Sequence, residues 1–184
     1  MATFGNTEVT ATSAYSITSR IAGTKFQMGA IAGTGDSITA ILLQNTGSDK
    51  LVKCALYDSD KNLVTNGVTN EETVSHSTSL QIITFNFATP PNLTADAYYW
   101  IVAWANGGAL GYNDQVGYDW EKENKTYNGF PATHAMGVFV ADDWATIYCT
   151  YTEAVAVPIV KRRRGRMSYG LKPARIVRPG RIGV

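Results

Sequence analysis

The sequence predicts an all-β protein: an antiparallel two-sheet sandwich, of the jelly-roll kind, carrying an extended basic C-terminal arm. Three observations support this. Apolar and polar residues alternate in short runs almost everywhere, while the 3.6-residue spacing of an amphipathic helix is nearly absent. Thr, Val, Ile and aromatic residues, including ten Tyr and four Trp, suit a pleated and half-buried surface. Charge is also sharply divided. Residues 161–184 hold nine of the sixteen Lys and Arg and no acid. The preceding 160 residues hold the other seven against all fifteen Asp and Glu, so a body of formal charge −8 bears a +9 arm.

Alternating segments place strands near 6–13, 16–27, 36–45, 50–58, 62–68, 78–88, 97–105, 110–118, 136–141 and 144–153. Turns are expected at Asn45–Asp49, Asp58–Asn62, Asn66–Gly67 and Asp142–Asp143, whose residues tolerate tight bends. The apolar phases of these strands nominate Ile38 or Ile41, Leu56, Ile83, Phe85, Trp100, Val102 and Ile147 for the core. Trp100 and Trp104 are four apart, hence on one strand face, and core burial is their expected role. The longest stretch without strand character, 119–135, is aromatic and polar and should cover an edge or end of the sandwich. After Pro158 the composition changes to Arg, Gly and Pro, which cannot bury enough apolar surface to fold alone. Residues 1–157 are therefore read as the sandwich and 158–184 as the arm.

At 184 residues and 45% hydrophobic, the chain is long enough for one domain with a real core. That composition excludes a coiled coil, a collagen-like fibre and a wholly disordered chain. No run approaches the ~18 apolar residues of a membrane helix, so no membrane partner is expected. The segment Met1–Glu8 has neither a basic start nor an apolar stretch, and an ordinary secretion signal is not expected. Cys54 and Cys149 have no metal-ligand spacing and share strand phases with apolar neighbours, which favours buried free thiols over a disulfide.

Catalytic and metal chemistry are not expected, nor is a cofactor. His76 and His134 belong to no ligand motif, and no nucleophile elbow or phosphate loop is present. Adjacent Asp142 and Asp143 on a strand would point to opposite faces, so a turn is the simpler reading. Asp58-Ser-Asp-Lys-Asn62 begins like a calcium loop but places Leu63 where that loop needs glycine and Thr69 where it needs glutamate.

Two sets of residues invite partners. Tyr112, Asp114, Tyr118, Asp119 and Trp120, with Asn113 between them, combine aromatic rings with carboxylates, as a glycan site does when they share a face. Subunit contact is the competing role for the same loop. In the arm, Lys161, Arg162, Arg163, Arg164, Arg166, Lys172, Arg175, Arg178 and Arg181 could neutralise phosphates or pair with carboxylates. Met167, Tyr169, Leu171, Ile176, Val177, Ile182 and Val184 are interspersed among them, which suits an extended segment docking on protein.

The pattern Phe85-Asn-Phe-Ala-Thr-Pro-Pro-Asn-Leu93 followed by Tyr98-Tyr-Trp-Ile-Val102 resembles a strand–turn–strand unit of small sandwich domains in virus and phage structural proteins and microbial surface proteins. The hairpin Cys54–Val64 and the closing strand Ile147–Tyr151 are similar to the same domains. The resemblance implies a sandwich that serves as capsid, decoration, fibre or glycan-binding module. With the arm it yields one expectation: a non-enzymatic structural protein of a virion, assembled in the host cytoplasm, whose arm contacts neighbouring copies or other capsid subunits. A glycan- or receptor-binding module is the alternative, and nucleic-acid binding through the tail is the third reading.

Overall fold

Thirteen strands and no helix form among the residues that the structure, a computed structural model, describes: 1–45, 47–135 and 137–155, with backbone alone at 115–119 and 138–141. They are β1 (Ala2–Gly5), β2 (Ser13–Ser16), β3 (Arg20–Gln27), β4 (Gly33–Leu43), β5 (Lys50–Asp58), β6 (Leu63–Val68) and β7 (Glu72–Val74). The chain continues through β8 (Gln81–Asn86), β9 (Asn92–Leu93), β10 (Tyr98–Ala105), β11 (Ala109–Asn124), β12 (Gly137–Ala145) and β13 (Ile147–Glu153). Every ladder between these strands is antiparallel. The expected boundary at 157/158 lies outside the described residues.

Two sheets pack face to face. Sheet one runs β1–β13–β4, with β8 and β9 on the far side of β4. Sheet two runs β12–β11–β3–β10–β5, edged by β6 and β7. β11 joins them: Ala109 and Leu110 pair with β4, and Trp120–Asn124 pair with β3. The chain changes sheet at about half of its connections, so its central ladders pair residues distant in sequence.

The main core fills the space between the sheets. Ile38, Ala40 and Leu42 of β4, Phe85 of β8 and Ile147, Cys149 and Tyr151 of β13 face Cys54, Leu56, Ile101 and Ala103 of sheet two. Alternation sets this inward phase, and each expected core residue except Ile83 is buried. Ile83 is half-buried because β8 is paired on one side only, by β4, leaving its neighbour Ile82 54% exposed. Cys54 and Cys149 are buried free thiols, and burial pushes both well above the ordinary range.

Four expectations need correction. Residues 6–12 are not a strand. Asn6 N–H donates to Ile147 O at 2.9 Å, Thr12 N–H to Asn113 Oδ1 at 2.7 Å, and Asn113 Nδ2 to Thr10 O at 3.0 Å and to the Glu8 carboxylate. The bonds made by the Asn113 side chain replace a ladder. Asn66–Gly67 is no turn but an irregularity inside β6, where Asn66 takes φ 61° and the pairing with β5 shifts register. Asp142–Asp143 likewise lies within β12, with Asp142 at φ 61°. Finally, residues 119–124 extend β11 and only 125–135 form a connection. That connection crosses the outer face of sheet two, rather than an edge or end.

Candidate functional site

The outer face of sheet two is a second, closed core. Ile21, Ala55, Tyr57, Trp100, Val102 and Trp104 are buried there beneath Tyr127 and Phe130. β10 is apolar on both phases, so its outward rings need cover. The strap of residues 125–135 supplies it. Tyr127 and Phe130 meet Trp104 edge-on at 5.4 and 5.2 Å, and His134 meets Tyr57 at 4.4 Å. Backbone bonds tie the strap to the β5–β6 hairpin: Leu63 N–H to Ala132 O at 2.7 Å and His134 N–H to Lys61 O at 3.1 Å.

Cations line this face. Lys53 Nζ lies 4.7 Å from the Tyr127 ring centre, Lys25 Nζ 5.5 Å and Lys61 Nζ 5.2 Å from the Trp100 ring centre. Lys61 also donates to Glu121 Oε2 at 2.6 Å, closing the face over buried Trp100. Burial, then the nearby Lys61 charge, lowers the pKa of His134 to about 4. The same burial raises Tyr57, and together with the 2.5 Å hydrogen bond from Tyr127 OH to Glu71 it raises Tyr127. The sequence signal for this cluster was the doubly apolar run Tyr98–Ala105, which no single-faced strand requires.

The expected sites are placed as follows. Trp120 is buried at 1% exposure in the main core, its ring met edge-on by Tyr15 at 5.9 Å and Tyr112 at 5.0 Å. It presents no ring to a sugar. Tyr112 is half-buried beside it, Asp114 is exposed, and the side chains of Tyr118 and Asp119 lie outside the described residues. The glycan set therefore does not form one described face. Asp114 instead pairs in register with Asp143, which is buried at 7% exposure and shares a hydrogen bond with it. Burial first, then Asp114 and Asp142, raises Asp143. Asp58 spends its carboxylate on its own turn, accepting from Asp60 N–H and Asn62 N–H at 2.9 Å each. Among the described residues no three His, Cys, Asp or Glu converge as metal ligands.

The Lys and Arg of the body gather on one side of the sandwich, together with most of its acids (Asp58, Glu72, Asp114, Asp119, Glu121, Glu123, Asp142 and Asp143). All seven of its cations (Arg20, Lys25, Lys50, Lys53, Lys61, Lys122 and Lys125) belong to sheet two, its hairpin turn or its strap. The strands of sheet one and the segments that connect them hold none. They carry acids only, among them Asp36 on β4, Asp96 before β10 and Glu153 at the end of β13. The outward residues of sheet one are otherwise uncharged: Thr3, Tyr148 and Thr150, then Ser37 and Thr39, then Thr84 and Asn86. β13, the last described strand, belongs to this side without Lys or Arg. The nine arm cations, Lys161 to Arg181, lie outside the described residues.

No family model, curated protein or solved structure matches this chain. Its chemistry is therefore argued from the arrangement of charge and surface alone.

Proposed function

We propose that this protein is a structural subunit of an ordered assembly, a capsid or capsid-decoration protein of a virion, whose basic arm binds neighbouring subunits. The observation that carries the reading is the segregation of charge. A +9 segment follows a −8 body in which no strand of sheet one carries a Lys or Arg. Arginines pair bidentately with carboxylates, and the apolar residues between them give contact area that salt does not screen. Viral membership rests on the resemblance of residues 85–102 to sandwich domains of such particles.

The test is deletion of the arm. A chain ending at Val155 retains every residue of both cores and should keep the thermal midpoint of the full chain. Sedimentation velocity should show association for the full chain and a monomer for the deletion. Association of the deletion at equal strength would remove the reading. Release of the full chain from its complexes by nuclease would replace it with nucleic-acid binding, whose affinity falls far more steeply with salt.

A further inference from the structure

Three Asn–Gly steps occur in the chain: Asn66–Gly67, Asn106–Gly107 and Asn128–Gly129. Such a step can modify itself. The backbone nitrogen of the glycine attacks Cγ of the asparagine, a new N–C bond closes a cyclic imide, and the side-chain nitrogen leaves as ammonia. Water then opens the ring at one of its two carbonyls. The product is aspartate or, with the main chain rerouted through Cβ, isoaspartate. Attack needs a mobile asparagine side chain and a glycine nitrogen within its reach, and the missing Cβ of glycine leaves that approach clear.

The fold treats the three steps differently. Asn106 is held twice, since Leu51 N–H donates to its Oδ1 at 2.9 Å and its own N–H donates to Leu51 O at 3.1 Å. Gly107 after it is buried against the Lys50 side chain. Asn66 lies inside β6 at φ 61°, and Gly67 is buried so closely that an added Cβ would lie 2.8 Å from Val64 O. At the third step both residues are exposed, and no hydrogen bond to either is found among the described residues. An added Cβ on Gly129 would meet nothing within 4 Å. The strap is nevertheless fixed on both sides of this tip. Lys125 N–H donates to Ser19 O at 2.8 Å, and Tyr57 OH donates to Pro131 O at 2.9 Å.

We propose that Asn128–Gly129 is a self-modification site, converting to aspartate and isoaspartate by intramolecular cyclisation, and that conversion loosens the strap over the second core. The proposal is independent of the assembly reading. Asn128 and Gly129 stand between Tyr127 and Phe130, whose rings both meet buried Trp104 edge-on. Isoaspartate lengthens the main chain between those two rings, and either product adds a carboxylate there. The ring contacts then shift, and the strap opens more readily than the strands beneath it. The cover over Trp104 thereby weakens with the age of the molecule.

Ageing the full chain in warm, mildly alkaline buffer tests this, with each Asn–Gly peptide followed by mass spectrometry and isoaspartate detected by enzymatic methylation. Asn128 should convert about tenfold or more faster than Asn66 or Asn106, because those steps must first open locally. In urea the three should convert at similar rates, and the same order there as in the folded chain would overturn the structural basis. Gly129→Ala should nearly abolish conversion at Asn128. It should leave the thermal midpoint of fresh protein unchanged, since Gly129 has room for a Cβ and no left-handed φ. After ageing, the unsubstituted chain should show faster amide exchange in residues 125–135 and the Gly129→Ala chain should not. If Asn128 stays intact while another step converts, or if all three convert equally in the folded chain, the site is overturned. Conversion at Asn128 with unchanged exchange overturns the effect on the strap.

Discussion

The two outer faces of this sandwich are built from the same alternating chain and end in opposite states. On sheet two, β10 places Trp100, Val102 and Trp104 outward, and the chain covers them with its own strap. On sheet one, β4 places Ser37, Thr39 and Ile41 outward yet buried, with Thr39 3.0 Å from Thr84, and exposure falls on Ile82, Thr84 and Asn86 of β8. Apolar area facing water costs roughly 25 cal/mol per Å², so an aromatic face cannot stay open. A hydroxyl face can. The protein therefore uses a loop, three lysines and two glutamates to seal one side, and needs no such strap over the mostly hydroxyl-bearing other side.

The comparison can be broken, beginning with the largest effect. Gly23 sits at the centre of β3, where an added Cβ would lie 2.0 Å from Ile101 O. Gly23→Ala should cost at least about 4 kcal/mol or prevent folding, read from urea unfolding. A near-neutral result would mean that sheet two is not closely packed there. Next, Trp104→Ala should cost about 3–5 kcal/mol, whereas Thr150→Ala on the open face should stay within about 0.5 kcal/mol. Equal losses would erase the distinction between the faces.

Smaller effects test the seal itself. Lys61→Met leaves the buried Glu121 carboxylate without its ion pair and should cost about 1–3 kcal/mol, with faster amide exchange in residues 125–135. Unchanged exchange there would show that the pair does not hold the strap. His134 has a folded pKa near 4, below the ordinary value of 6.5. The unfolded chain then binds the extra proton between those values, so stability is full above pH 6.5 and falls as pH drops toward 4. His134→Gln should flatten that slope. The smallest change is Asp143→Asn, which removes a carboxyl whose pKa is raised in the fold. It should raise the thermal midpoint slightly at pH 7, and the gain should disappear at acid pH, where both states are protonated.

Much of the fold was readable because strand phase is local. Phe85, Leu56, Trp100 and Ile147 could be assigned to a core from their neighbours alone, and the Asp58–Asn62 turn from its own oxygens. The errors fell where a distant partner decides. Asp119–Asn124 reads as a charged loop until Glu121 is seen to meet Lys61 from another hairpin and Trp120 to enter the core beside Tyr15. Asn6–Thr12 reads as alternating strand until Asn113 captures its backbone from more than a hundred residues away. Of the candidate surface, the sequence alone shows the −8 and +9 division, because charge is a property of composition.

Composition and short-range periodicity by themselves determined the all-β class, the position of most strands, the buried thiols and the separation of a basic arm from an acidic body. Only the tertiary structure decided which face each apolar run covers, that Trp120 is core and not platform, and that every Lys and Arg of the body gathers on sheet two, its hairpin turn or its strap. The reason is physical. Alternation specifies two sides of a strand within a few residues, but which side meets a sheet, a strap or water depends on pairings between strands far apart in the chain.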